Sequence, residues 1–163
     1  MSALDFLSPS RSAPETLASP LARALAGAPE GVRDLSLDGK VEVRGDLGRV
    51  ELEAGDELVR LTPGRGLVLT ENTLEAIDGL RENGLLAYDM TGALAGLAFE
   101  GETLLRRLTD LDPGALPTAG GFARVSAVVV RDNGARFRAY FAQELGHYVA
   151  EVVLDLLAGL DNA

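Results

Sequence analysis

The last forty residues constrain the fold most. FARVSAVVVR (122–131) is a β-branched, apolar run, Asp132-Asn133-Gly134 is a hairpin turn signal, and RFRAYFA (136–142) is spaced to return as the partner strand. Directly after it, Leu145, Tyr148, Val149, Val152, Val153, Leu156, Leu157 and Leu160 recur at i, i+3, i+4 and i+7, the spacing of an amphipathic helix. A hairpin has an apolar face and the helix an apolar stripe, and neither survives in water uncovered. The two must pack on each other, so helices lie on a sheet.

The same alternation extends upstream. VEVR (41–44), RVELE (49–53), ELVRL (57–61) and GLVLT (66–70) read as short strands, punctuated by Gly45-Asp46-Leu47-Gly48 and Pro63-Gly64-Arg65-Gly66. Asn72 is placed to cap a helix with Glu75 as reciprocal partner and Leu74, Ile77 and Leu80 along one face, and Gly84 ends it. LLAYDM (85–90) and ALAGLAF (93–99) are strands joined tightly at Thr91-Gly92. A short helix from Gly101 to Thr109 carries Leu104, Leu105 and Leu108, and 110–121 reads as a loop. Strand pairs alternating with helices predict an α+β fold, a largely antiparallel sheet with helices packed on one face. Residues 1–31, rich in Ala, Ser and Pro, read as a mobile arm with room for a short helix at 21–26. Residues 32–163 read as one domain, β-rich over 32–70 and βαβ-like over 71–163.

Composition narrows the chemistry. With no cysteine, thiolate catalysis, disulfides and cysteine-held metals are excluded, and one histidine, His147, excludes a multi-histidine metal site within the chain. A net charge of −10 argues against nucleic acid and anionic membrane and favours a basic or amphipathic partner. No apolar run reaches the roughly 20 residues of a membrane span, and no secretory leader is legible, so a cytoplasmic location is expected. Only one of the fifteen basic residues, Lys40, is a lysine, read as compositional bias. No phosphate-cradling glycine loop stands between a strand and a helix.

Few residues are candidates for a site, and no catalytic or metal-ligating set emerges. His147 beside Glu144 and Glu151 reads as a solvated surface histidine or a general base. Asp110 and Asp112 form a paired carboxylate or a turn cap before Pro113, and Asp89 at a strand end holds a turn or faces a ligand. Arg124, inside an apolar strand, is an ordinary outward residue or a carboxylate-binding fork.

Several of these elements occur together in a known family. The turn Asp89-Met90-Thr91, the strand end Phe99-Glu100-Gly101, the leucine-rich helix to Leu108, the pair Leu111-Asp112, and the Ala123-Arg124 strand with its hairpin and final helix resemble the aminomethyltransferase-like, folate-binding superfamily. Ser19-Pro20-Leu21-Ala22 and Val43-Arg44-Gly45-Asp46 resemble the opening motifs of its sarcosine oxidase gamma subunits. The Gly-Gly-x-x-Asp-Asp-like segment of working transferases is absent from 122–131, Leu111 stands where the family has asparagine, and Gly66–Thr70 lacks the tryptophan-rich strand of gamma subunits.

The resemblance implies an aminomethyltransferase folate-binding-like fold and an accessory subunit of a tetrahydrofolate-linked sarcosine oxidase, with docking as its main role. Flavin would sit on alpha- and beta-like partner subunits of the hetero-oligomer. The alternative is a stand-alone folate- or pteridine-binding protein of one-carbon metabolism. Asp89, Thr91, Asp112 and Arg124 would then face the ligand, and tetrahydrofolate would be the candidate.

Overall fold

The computed structural model describes residues 18–161. Nine strands and three helices follow in the order β1 (Arg33–Asp34), β2 (Gly39–Arg44), β3 (Glu57–Thr62), β4 (Arg65–Thr70), α1 (Thr73–Glu82), β5 (Leu86–Asp89), β6 (Leu94–Glu100), α2 (Glu102–Leu108), β7 (Thr118–Phe122), β8 (Val125–Arg131), β9 (Arg136–Ala142) and α3 (Gly146–Asp161). All strand pairs are antiparallel, and helices cover one face of each sheet, as the α+β reading expects. There are two sheets, not one. The first has the order β1-β6-β9-β8-β7 and the second β3-β4-β2-β5.

Alternation along the strands explains the layering. In the first sheet Ala95, Leu97, Phe99, Ala127, Val129, Phe137, Ala139 and Phe141 face α2 and α3, packing on Leu104, Leu105, Leu108, Val149 and Val153. In the second, Val41, Val43 and Val68 face α1 through Ile77 and Leu80. The opposite faces meet, with Val59, Leu67 and Leu69 of the second sheet against Ala98, Val130 and Tyr140 of the first. The result is four layers, helices outside and two sheets back to back.

Several local readings are corrected. RVELE is not a strand, because Glu51, Leu52 and Glu53 are all exposed and their alternation finds no cover. Asp46 instead caps a 3-10 turn at Leu47–Arg49 by accepting from Gly48 N at 3.0 Å. The tight connection at Thr91-Gly92 is present, but it carries the chain from β5 in the second sheet to β6 in the first. Leu145 and Tyr148 are exposed. The buried stripe of α3 runs through Gly146, Val149, Ala150 and Val153; Leu145 precedes the helix, and Tyr148 lies on its exposed side. Leu74 is 76% exposed, leaving Ile77 and Leu80 to seat α1.

The largest correction is at 122–131. The run is broken by Ala123 and Arg124, both left-handed at φ 48° and 67°, so 118–122 and 125–131 form a two-residue hairpin with Phe122 opposite Val125. In one straight strand Phe122 would share a face with Val128 and Val130. The turn puts it instead with Ala127 and Val129 beneath the helices. Ala123 N donates to Leu108 O at 2.7 Å, which fastens the hairpin tip to the end of α2.

Of the segment read as an arm, residues 1–17 lie outside the described residues. Residues 20–27 form hydrogen-bonded turns, and Leu21 is fully buried against the start of α3, where a side chain at Gly146 would come within 2.9 Å of it.

Candidate functional site

The polar residues with least water around them lie between the two sheets. Val41 and Val43 occupy the α1 side of β2, so Lys40 and Glu42 must point to the inter-sheet side. Lys40 has no exposed surface. Its Nζ donates to Ser36 O at 3.0 Å and to Asp38 O, while its backbone N donates to Thr91 Oγ1 at 3.1 Å. Ser36 Oγ in turn accepts from Gly96 N at 3.3 Å. Lys40 thus ties the loop after β1, in the first sheet, to β2 in the second. Burial pushes its ammonium below the usual lysine range, against the opposing pull of Asp38, Asp34 and Asp89.

Glu42 accepts from Arg65 Nη2 at 2.9 Å, Arg65 Nε at 3.2 Å and Arg44 Nε. Its burial alone would raise the carboxyl pKa, but the two guanidiniums outweigh that and hold it below the usual range.

A second bridge between the sheets is Arg138 on β9. Its Nη2 donates to Glu57 Oε2 on β3 at 2.7 Å, its Nε to Asp132 Oδ1, and its Nη1 to the Tyr140 hydroxyl at 3.3 Å. The bridge stands beside a cleft of about 520 Å³ lined by Arg33, Leu35, Leu37, Leu69, Arg138 and Tyr140. That volume suits a small ligand. Glu57 and Asp132 already offset Arg138, and the Tyr140 oxygen accepts from it, leaving the phenolic proton and the Arg33 guanidinium as donors, with Asp38 and Glu71 adding negative charge to the lining. The cleft therefore favours a neutral, acceptor-bearing ring over a dianion. Among the described residues no group of three His, Asp or Glu side chains converges to hold a metal.

Tyr140 is only 3% exposed, and burial pushes its phenol up to about 12 despite the nearby Arg138 charge. The folded state keeps the proton longer than the unfolded chain, so this contribution is complete below about pH 10 and lost as pH rises towards 12. Tyr140→Phe should therefore flatten the alkaline decline by about 2–3 kcal/mol relative to the wild type, read from urea unfolding across that interval.

The sequence-derived candidates occupy three separate places. Asp89 accepts from Thr91 N at 2.9 Å, and with Thr91 it closes the turn beside Lys40. Asp112 caps the 3-10 turn at Pro113–Ala115 through Gly114 N at 2.9 Å. Arg124 stands exposed at the hairpin tip, outside any strand. No hydrogen bond or ion pair joins these places. Asp110 is exposed, and His147 lies on the surface of α3 with its Nε2 3.1 Å from Glu151. A left-handed arginine is conformationally costly, so Arg124→Gly should raise stability by about 1 kcal/mol, seen as a higher urea midpoint at unchanged slope.

Lys40, Arg138 and Tyr140 were the residues missed. Their signal is present in GKVEVR and RFRAYFA, where polar side chains alternate with core residues; an interior strand whose polar face is also covered must face a second sheet.

No family model matches the sequence, and no curated protein matches it. The structural comparison is informative. A chain of the heterotetrameric sarcosine oxidase from Corynebacterium sp. U-96, in complex with pyrrole 2-carboxylate, superposes with a TM-score of 0.74, covering 88% of this chain and 95% of that one. The two chains share a fold. At 16% identity the likeness is one of architecture: two antiparallel sheets with three helices, over almost the whole of the matched chain. E. coli aspartokinase III, in complex with lysine and aspartate, reaches a TM-score of only 0.42 at 10% identity, over 75% of this chain and 31% of that one, and carries no argument.

Proposed function

We propose that this chain is a small accessory subunit of a hetero-oligomeric oxidoreductase, filling the place of the gamma subunit in a tetrahydrofolate-linked sarcosine oxidase. Its role is structural, and flavin and the oxidation of sarcosine belong to its partners. The observation that carries this is the fold likeness over 95% of a chain from a heterotetrameric enzyme, nearly its full length and not a shared fragment. The candidate carboxylates fit the docking role, since Asp89 and Asp112 each hold a turn.

The test is co-expression with the flavin-carrying subunits of a heterotetrameric sarcosine oxidase. A yellow complex containing this chain, with sarcosine-dependent oxygen uptake that falls when the chain is omitted, is expected. Elution of the chain alone, with the larger chains fully active without it, overturns the reading.

The cleft at Arg138 and Tyr140 favours a second reading, a folate- or pteridine-binding protein. Tyr140 would donate to a ring acceptor, with Leu35, Leu37 and Leu69 against the ring. Calorimetry with tetrahydrofolate should then show heat that is lost in Tyr140→Phe; no heat and no thermal shift would remove this reading.

A further inference from the structure

A different surface identifies what kind of partner segment docks. On the outer side of the second sheet, the loop 50–56 and α1 enclose a groove of about 540 Å³. Smaller hollows continue it at both ends, one by Arg49, Glu82 and Gly84 and the other by Glu53, Asp56 and Glu71. The groove runs the length of α1, about 15 Å for its ten residues.

Three independent features coincide there. Glu51, Glu53, Asp56, Glu75, Asp78 and Glu82 line the groove, and none has an ion-pair partner among the described residues. Arg44, Arg65, Arg106, Arg131, Arg136 and Arg138 pair with carboxylates elsewhere, and Arg49, at the end of the groove beside Glu51 and Glu82, is the one basic residue in the groove and its two continuing hollows, so the local charge is strongly negative. Second, two leucines stand open among the acids, Leu52 at 42% and Leu74 at 76% exposed, although the helical spacing of Leu74 with Ile77 and Leu80 marks it for burial. Third, Gly79 sits in the middle of α1 with nothing within 4 Å of where a Cβ would be. No close packing among the described residues requires that glycine, which weakens the helix. It does allow another backbone to approach α1 closely.

We propose that this groove receives a basic, amphipathic segment of a partner subunit, with arginine or lysine side chains meeting the six carboxylates and apolar residues covering Leu52 and Leu74. The proposal rests on the subunit reading above and names the surface it uses. Charge disfavours the other occupants. A second copy brings another net −10, and residues 1–17 carry Asp5 and Glu15 against Arg11 alone. A metal ion is disfavoured because no three carboxylates of the described residues converge.

The test titrates the full chain, isotope-labelled for NMR, with a synthetic helical peptide of about fifteen residues. The peptide carries leucines at i, i+3, i+4 and i+7 and arginines elsewhere; one control replaces the leucines with serine and another the arginines with glutamate. Shifts confined to 49–56 and 71–84 are expected, with both controls silent. Leu74→Ser and the triple variant Glu75→Gln/Asp78→Gln/Glu82→Gln should each weaken binding about tenfold. Gly79→Ala should raise the melting temperature yet weaken binding, a split that a purely structural glycine would not produce.

Shifts spread over the whole surface, no binding at all, or equal binding of the leucine-free peptide overturns the proposal. Assembly with the flavin-carrying chains separates the two claims. If the wild type assembles and the Leu74→Ser and triple variants assemble equally well, the groove is not the interface and the subunit reading stands. If the wild type fails to assemble, the subunit reading falls, and the peptide titration alone decides the groove.

Discussion

Lys40→Ala is expected to lower the unfolding free energy by about 3–4 kcal/mol, measured by urea denaturation at neutral pH. Lys40 is among the largest side chains with no exposed surface, so truncation removes its packed methylenes from the seam between the sheets and leaves a cavity. It also strips the ammonium from Ser36 O and Asp38 O, acceptors in the loop that joins the two sheets. Lys40→Met separates these effects. Methionine restores most of the volume and removes a charge whose burial is unfavourable, so the loss should shrink to about 1–2 kcal/mol, chiefly the two carbonyls left without their donor.

The two proteins should also differ in pH response. The folded chain releases the Lys40 proton at a lower pH than the unfolded chain, whose lysine titrates near the ordinary 10.5. Between those values the unfolded state holds more protons, so wild-type stability gains from this residue as pH rises. The gain should be absent in Lys40→Met. An identical pH profile would show that the ammonium is not buried as described.

Phe99→Ala should cost about 3–5 kcal/mol and lower the melting temperature by roughly 10 °C, read by calorimetry. Phe99 lies 5.5 Å from Phe122 and 5.7 Å from Phe137, ring centre to ring centre, and is 1% exposed. The chain has only five phenylalanines, and Phe99, Phe122, Phe137 and Phe141 all lie in this one core beneath α2 and α3. Loss of Phe99 opens the centre of that cluster, and Phe122 is held by the hairpin tip at Ala123 and cannot follow it inward. Leu86→Ala, at an exposed position of the edge strand β5, should stay within about 0.5 kcal/mol of the wild type. Comparable losses at both positions would mean that the aromatic cluster is not the keystone of the first sheet.

The elements that were legible from sequence are those whose signal is local. Asn72 accepts from Glu75 N and its amide donates to Glu75 Oε2 at 2.6 Å, close to the reciprocal capping that the spacing predicts. Asp132-Asn133-Gly134 turns β8 into β9 as expected, and α3 follows at once. The turn roles open for Asp89 and Asp112 were also visible, because an Asx oxygen two residues before a backbone N–H is a contact within one short segment.

What escaped depends on residues far apart in the chain. RVELE has the alternation of a strand, yet nothing in the fold comes to cover it. FARVSAVVVR has the composition of one strand, yet Phe122 reaches Phe99 only if the chain reverses at Ala123 and Arg124, against the preference of both residues. The stretches that alternate on both sides of a strand could not say which side another sheet would cover.

By itself, the sequence determined the antiparallel α+β class, the amphipathic last helix, the absence of cysteine chemistry and the strongly acidic charge, because composition and periodicity are properties of the chain alone. Only the tertiary structure decided that there are two sheets back to back, that Lys40 and Arg138 bridge them, and that Leu52 and Leu74 stand open among unpaired acids. Burial is set by which distant segments meet, and spacing along the chain carries no record of that.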